Sequence, residues 1–172
     1  MQNLADIKKA IGRKYPEQVV LVTTRGAAGN PNVMAVGWVT IASDEPLMFV
    51  LGIDEAAYTL ELIRETRQFV VAFPSAAMGR SVLCAGSCHG RGRDKITEAG
   101  LAVQEGVKVR APLVAEAVAN FECELVDIYQ PGDCPLVVGK VVAAHEHSDP
   151  ELKRLYTVAR GHKLAGVRPL RD

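Results

Sequence analysis

Apolar and β-branched residues run along this chain in short stretches separated by turn formers, and only in a few places does the spacing lengthen to that of a helix. Residues 19–25 (VVLVTTR) read as a strand, and the GAAGNPN that follows reads as a turn. The stretch NVMAVGWVTIAS, 32–43, therefore returns antiparallel as a hairpin partner, and PLMFVLGI, 46–53, supplies a third strand. The period then changes. In AYTLELIRETR, Leu60, Ile63 and the Tyr58/Leu62 pair fall at helical spacings, and the β-rich FVVAFP follows at once, so a crossover helix joins two strands.

The middle third mixes both periods. Residues 76–87 (AAMGRSVLCAGS) predict a short helix, 91–100 (RGRDKITEAG) predict another stopped by Gly100, and 106–114 (GVKVRAPLV) are expected to be extended. Two long strands close the pattern, 117–129 (AVANFECELVDIY) and 134–147 (CPLVVGKVVAAHEH). In the first of them Phe121, Cys123 and Leu125 alternate with polar neighbours, and the QPGD between the two is a tight-turn sequence. Six or more strands joined mainly by hairpins, with few helices, predict a mainly β protein with helical insertions, folded as a closed or nearly closed antiparallel barrel.

A length of 172 residues with 48% hydrophobic positions suits one domain spanning 1–172. Lysine and arginine number 20 against 20 acidic residues, so the long-range field that would draw the chain to nucleic acid or an anionic membrane is missing. The first 18 residues carry no apolar signal-peptide core and read as a short amphipathic helix, and no apolar run is long enough to cross a bilayer. A cytoplasmic protein is expected. The cysteines at 84, 88, 123 and 134 are too few and too uneven for a disulfide framework, and read as reduced thiols.

The familiar nucleotide and hydrolase signatures are absent: there is no phosphate loop, no nucleophile elbow, and no dinucleotide glycine motif between a strand and a helix. Cys84, Cys88 and His89 invite a zinc reading, but their spacing is loose and the other cysteines would have to come from distant strands, so buried thiols are the plainer account. His145 and His147 point the same way from one strand, near its end, and are expected to be solvated.

The stretch around the only tryptophan is the most distinctive. Asn32 through Ser43, with VVLVTTRGAAGNP before it and DEPLMFVLGI after it, resembles the flavin reductase-like family of FMN-binding split barrels, which includes flavoredoxin-type proteins. YTLELIRETRQFVVAFPS is similar to the family's helix-then-strand segment. CAGSCHGRGRDKITEAGL looks like its C-G-x-x-S-G-x-x-x-D-K-F region, and residues 111–145 resemble its closing hairpin. The order of segments is kept over residues 16–147.

The resemblance implies a split β-barrel that binds FMN without a covalent bond, works as a homodimer, and passes electrons from NAD(P)H through FMN to an acceptor the sequence does not identify. No side-chain acid or nucleophile is required, because the cofactor carries the hard chemistry. A flavin-binding electron carrier or FMN store, without nicotinamide turnover, is the alternative. By the same resemblance Asn32, Met34, Val36, Gly37, Trp38, Val39, Thr40, Ser43, Gly52, Ile53, Tyr58, Thr59, Lys95 and Cys134 are the cofactor-binding positions. A flat isoalloxazine ring suits a strand of low bulk such as Ala35–Gly37, with Trp38 packed on the ring or covering it; plain core, where large aromatics are often found, is the less favoured alternative for Trp38. Residues 52–59, at the start of a helix, are implied to hold the phosphate. Lys95 occupies the lysine of the family's D-K pair and could sit at the phosphate or, as we favour from sequence, at the pyrimidine edge of the ring. Two departures stand out: Cys134 lies where a histidine is often found, and the terminal segment VRPLRD stops early, which implies a more open flavin.

Overall fold

The computed structural model describes residues 1–167. Its centre is a seven-stranded antiparallel sheet ordered β3-β2-β6-β9-β10-β5-β4. The strands are β2 (Val20–Arg25), β3 (Pro31–Val36), β4 (Val39–Ser43), β5 (Met48–Gly52), β6 (Gln68–Pro74), β9 (Ala117–Tyr129) and β10 (Leu136–Glu146). Short β7 (Val103–Gln104) and β8 (Leu113–Val114) pair with each other, and β1 (Glu17–Gln18) joins β11 (Leu155–Ala159) and β12 (Lys163–Gly166) in a small second sheet.

The expected hairpin is only half right. β2 does pair with β3, Val20 opposite Val36 through Arg25 opposite Pro31. The run does not continue, however: the chain breaks at Gly37 and Trp38, and β4 pairs instead with β5 at the opposite edge of the sheet. Two residues link the two edges, and three residue steps reach at most about 11 Å. The sheet must therefore curl until its edges nearly meet, which is the physical basis of the split barrel.

Both faces of this sheet are covered, which is why β2 reads as a continuous apolar run rather than an alternating one. Val20 and Val22 point into the barrel with Phe49, Leu51, Phe69 and Val137, closed at one end by helix α2 (Tyr58–Thr66) through Leu60 and Ile63. Val19 and Leu21 point outward to helix α3 (Gly79–Ser87) and helix α4 (Lys95–Glu98), through Val82, Ala85 and Ile96. Gly100, at φ +63°, ends α4 as expected. The N-terminal helix α1 (Ile7–Ala10) is shorter than expected and buries nothing, leaving Leu4, Ile7 and Ile11 exposed.

Three other expectations need correction together. Residues 106–111 are not extended but fold over the outer face of β9. Glu122, which the alternation of β9 assigns to solvent, is fully buried beneath them and accepts hydrogen bonds from the amides of Val107 (3.0 Å), Lys108 (2.7 Å) and Val109 (2.7 Å). His145, expected in solvent, is half-buried with its Nε2 2.6 Å from Glu122 Oε1. Burial opposes the charge of Glu122, but the Val107 amide, His145 and the other two amides outweigh it and hold the carboxyl down at about 2.

Candidate functional site

A cavity of about 330 Å³ opens where β3, the start of α2, the end of α3 and the start of α4 converge. Asn32 and Met34 form its sheet wall, Asp54 and residues 56–59 the α2 wall, and residues 85–90 the α3 wall, with Lys95 reaching in from α4.

Asn32 sits deep in this wall, 2% exposed, because its side chain is used within the fold. Its Nδ2 donates to Thr59 Oγ1 at 2.9 Å and weakly to Thr24 Oγ1 at 3.4 Å, tying β2, β3 and α2 together. Its Oδ1 is buried with no hydrogen-bond partner among the described residues, an acceptor left for a ligand donor. Gly90 presses against this oxygen: a β-carbon there would collide with Asn32 Oδ1 and lie 3.1 Å from Tyr58 Cδ1. Gly90→Ala is accordingly expected to displace Asn32 and to cost about 1–3 kcal/mol, the usual range for overpacking, seen as a lower midpoint of thermal unfolding. An unchanged midpoint would mean that the 88–90 loop simply moves aside.

Two features make the cavity attractive to an anion. Helix α2 has Ala57 as its N-cap and no side-chain cap; the Leu60 amide donates to the Ala57 carbonyl, and the amides of Tyr58 and Thr59 are left for water or a ligand. Lys95 is 4% exposed, and its Nζ donates to the carbonyl of Ala85 at 2.7 Å. One of its three N–H donors is thus used to cap the end of α3, and two remain for the cavity. Burial pulls the Lys95 pKa down while the nearby sulfurs of Cys88 and Cys84 push it back up. Over the mouth, Arg91 stacks on the Tyr58 ring at 4.9 Å and pairs with Glu61.

Trp38 is not core: it is 59% exposed. Its ring lies on Gly52, where an added β-carbon would be 3.2 Å from Trp38 Cε3 and 3.3 Å from its Cβ, and the Gly52 amide donates to the Trp38 carbonyl at 2.8 Å. Asp54, in the cavity wall, is two residues beyond Gly52, about 7 Å of chain at most. Cys134 belongs to the same shoulder, its thiol pushed up by burial and by the charges of Asp133 and Asp54.

Of the positions expected from sequence, the cavity gathers Asn32, Met34, Tyr58, Thr59 and Lys95. Gly37, Trp38, Gly52 and Cys134 lie outside its lining, as do Val39, Thr40 and Ser43 on the edge strand. Val36 and Ile53 point into the barrel core. The α3 wall was missed, since Ala85, Gly86, Ser87 and Gly90 carry little chemistry of their own. The signal that could have found it is the density of small residues in CAGSCHG just before the D-K pair. Among the described residues no group of three or more histidine, cysteine or acidic side chains is placed to hold a metal.

A family model of the flavin reductase-like domain matches residues 12–164. The chain belongs to that family. An uncharacterised protein of Pyrococcus abyssi is 38% identical over 145 residues, covering 81% of this chain and 83% of that one. Flavoredoxin from Methanosarcina acetivorans superposes with a TM-score of 0.86 at 24% identity, covering 100% of this chain and 94% of its own. An FMN-binding protein from Thermus thermophilus gives 0.83 at 24% identity, covering 96% and 95%. These likenesses bear out the split-barrel fold expected from sequence. Among the described residues no helix is long and apolar enough to cross a membrane. The expected early stop of the terminal segment falls on residues 168–172, outside the described residues, apart from Val167.

Proposed function

We propose that this protein binds FMN and moves electrons from NAD(P)H to an acceptor, in the manner implied by its family. The observation that carries the reading is the meeting, in one cavity, of a buried lysine, an uncapped helix start and a buried carbonyl oxygen without a partner. The first two suit a phosphate, and the third suits a hydroxyl donor such as those of a ribityl chain. From there the ring would lie toward the shoulder where the exposed Trp38 ring rests on Gly52, beside Cys134.

FMN, when bound, would supply the two-electron redox chemistry. The chain's own residues hold and orient it. Lys95 balances the phosphate charge, Asn32 fixes the polar chain, and Trp38 covers an apolar face. Cys134, a neutral thiol, supplies no cation at that shoulder. The visible spectrum of the purified protein, with mass identification of what it releases on denaturation, tests the cofactor. Anaerobic mixing of the FMN-loaded protein with NADH or NADPH tests the donor. Bleaching with turnover to an acceptor supports the reductase, bleaching without turnover favours a carrier, and no bleaching rules out both donors.

FMN binding is expected to quench Trp38 emission, and Trp38→Leu to weaken FMN retention with the fold intact, since an exposed side chain holds no core together. Unchanged emission on FMN addition would remove Trp38 from the site.

We further propose a homodimer. Trp38 and Ile41, 59% and 60% exposed, stand on the β4 side where the sheet ends, and an apolar exposed edge is commonly covered by a partner. Sedimentation of a monomer at micromolar concentration with FMN bound would contradict it.

A further inference from the structure

We propose that Cys84 and Cys88 form a redox pair that exchanges with low-molecular-weight disulfides, and that closing the bond unwinds the last turn of α3 and releases Lys95 from its tether.

The pair sits at a helix end. Cys84 lies inside α3, and Cys88 is the residue that terminates it, at φ −120° and ψ 141°, already extended. Side chains four apart on a helix have β-carbons about 5–6 Å apart, whereas a disulfide needs about 3.5–4.5 Å. Within a continuous helix that gap would keep the thiols apart. Here Cys88 is already outside the helical backbone, so closing the gap requires only the last turn to give way.

What holds that turn is local. Ser87 Oγ donates to the Cys84 carbonyl at 3.2 Å and lies 3.8 Å from Cys88 Sγ, and Cys84 Sγ donates to the Glu98 carbonyl at 3.5 Å. Both thiols are half-buried rather than sealed. Both lie near the cations of Lys95 and Arg93. Cys84 packs only at the edge of the outer core cluster and Cys88 lines the cavity, whereas Cys123 is fully buried and pushed up to about 12 by burial.

The step balances as ordinary exchange. The Cys88 thiolate attacks one sulfur of R–S–S–R and expels RS⁻. The Cys84 thiolate then attacks Cys88 Sγ in the mixed disulfide and expels the second RS⁻. Two protein thiols are oxidised by two electrons, and the small disulfide is reduced to two RSH that carry off the two thiol protons. Because the bond closes against helix geometry, it is a strained and readily reduced one.

Its consequence reaches the cavity. Ala85 through Cys88 form the α3 wall, and the Ala85 carbonyl holds Lys95 Nζ at 2.7 Å. Unwinding this turn removes that acceptor and exposes the amine. The coupling is independent of any flavin.

The whole protein, without added flavin, is equilibrated in glutathione buffers of increasing disulfide content, then alkylated and peptide-mapped. A Cys84–Cys88 disulfide, reversed by dithiothreitol, is expected, with a trapped glutathione adduct on the remaining thiol in Cys84→Ser and Cys88→Ser. Acylation of Lys95 by an amine reagent should rise at least tenfold on oxidation in the wild type and stay unchanged in both serine variants. Full alkylation of both thiols under the most oxidising buffer overturns the pair. A disulfide that forms with Lys95 acylation unchanged overturns the release.

Discussion

Glu122→Ala is expected to destabilise the protein by about 3–5 kcal/mol, the range for removing one partner of a buried charged network. The carboxylate lies under the 106–111 segment and is its main polar attachment, accepting from three consecutive amides and facing His145 Nε2. Without it those amides lose a charge-assisted acceptor in a place water reaches poorly. The segment would also lift from Val70, against which Val109, Ala111 and Leu113 pack. Urea unfolding reports the loss, and hydrogen exchange should show the amides of 107–109 opening first. The effect also depends on pH. The folded-state carboxyl titrates at about 2, below its ordinary 4.5, so its stabilisation is present above pH 4.5 and is lost as pH falls toward 2. At about 1.36 kcal/mol per pH unit, that gap corresponds to roughly 3 kcal/mol. The wild type should lose this much more than Glu122→Ala across that window, and parallel acid curves for the two proteins would refute the account.

Glu122 also marks what the sequence could not reveal. The alternation in β9 places Cys123 and Leu125 inward correctly, but an alternating pattern says only which face is apolar, not whether the other face stays in water. Here the outer face is covered by a segment whose own residues look extended, so a buried glutamate and a half-buried histidine both read as solvated. The break at Gly37 and Trp38 is a different limit. Residues 32–43 keep strand composition throughout, and composition does not state that the ladder partner changes from β2 to β5 midway. The glycine–tryptophan pair between two β-rich halves was the available sign. For the candidate site, Asn32, Thr59 and Lys95 were legible through the family resemblance, and one cavity brings them together. The wall of small residues from α3 was not, since its role is to leave room.

Lys95→Met is expected to weaken FMN binding roughly 10- to 100-fold while leaving riboflavin binding nearly unchanged, the size of one charge-assisted contact of about 1.5–3 kcal/mol. From sequence the ring edge was the favoured position for this amine, and the cavity now argues for the phosphate. Lys95 shares that cavity with Tyr58 and Thr59 at the uncapped start of α2, where an anion already has amides to meet. An ammonium kept at 4% exposure is costly to charge, as the lowered pKa reflects, and a phosphate beside it would offset that cost. The same substitution also removes the hydrogen bond to the Ala85 carbonyl, so some loss of stability is expected with or without ligand. Comparison of the two flavins separates these effects, because a general loosening of α3 weakens both while a phosphate contact weakens only one. Equal weakening of FMN and riboflavin, with a lowered midpoint potential, would return Lys95 to the ring; equal weakening with an unchanged potential would leave it only the capping of α3.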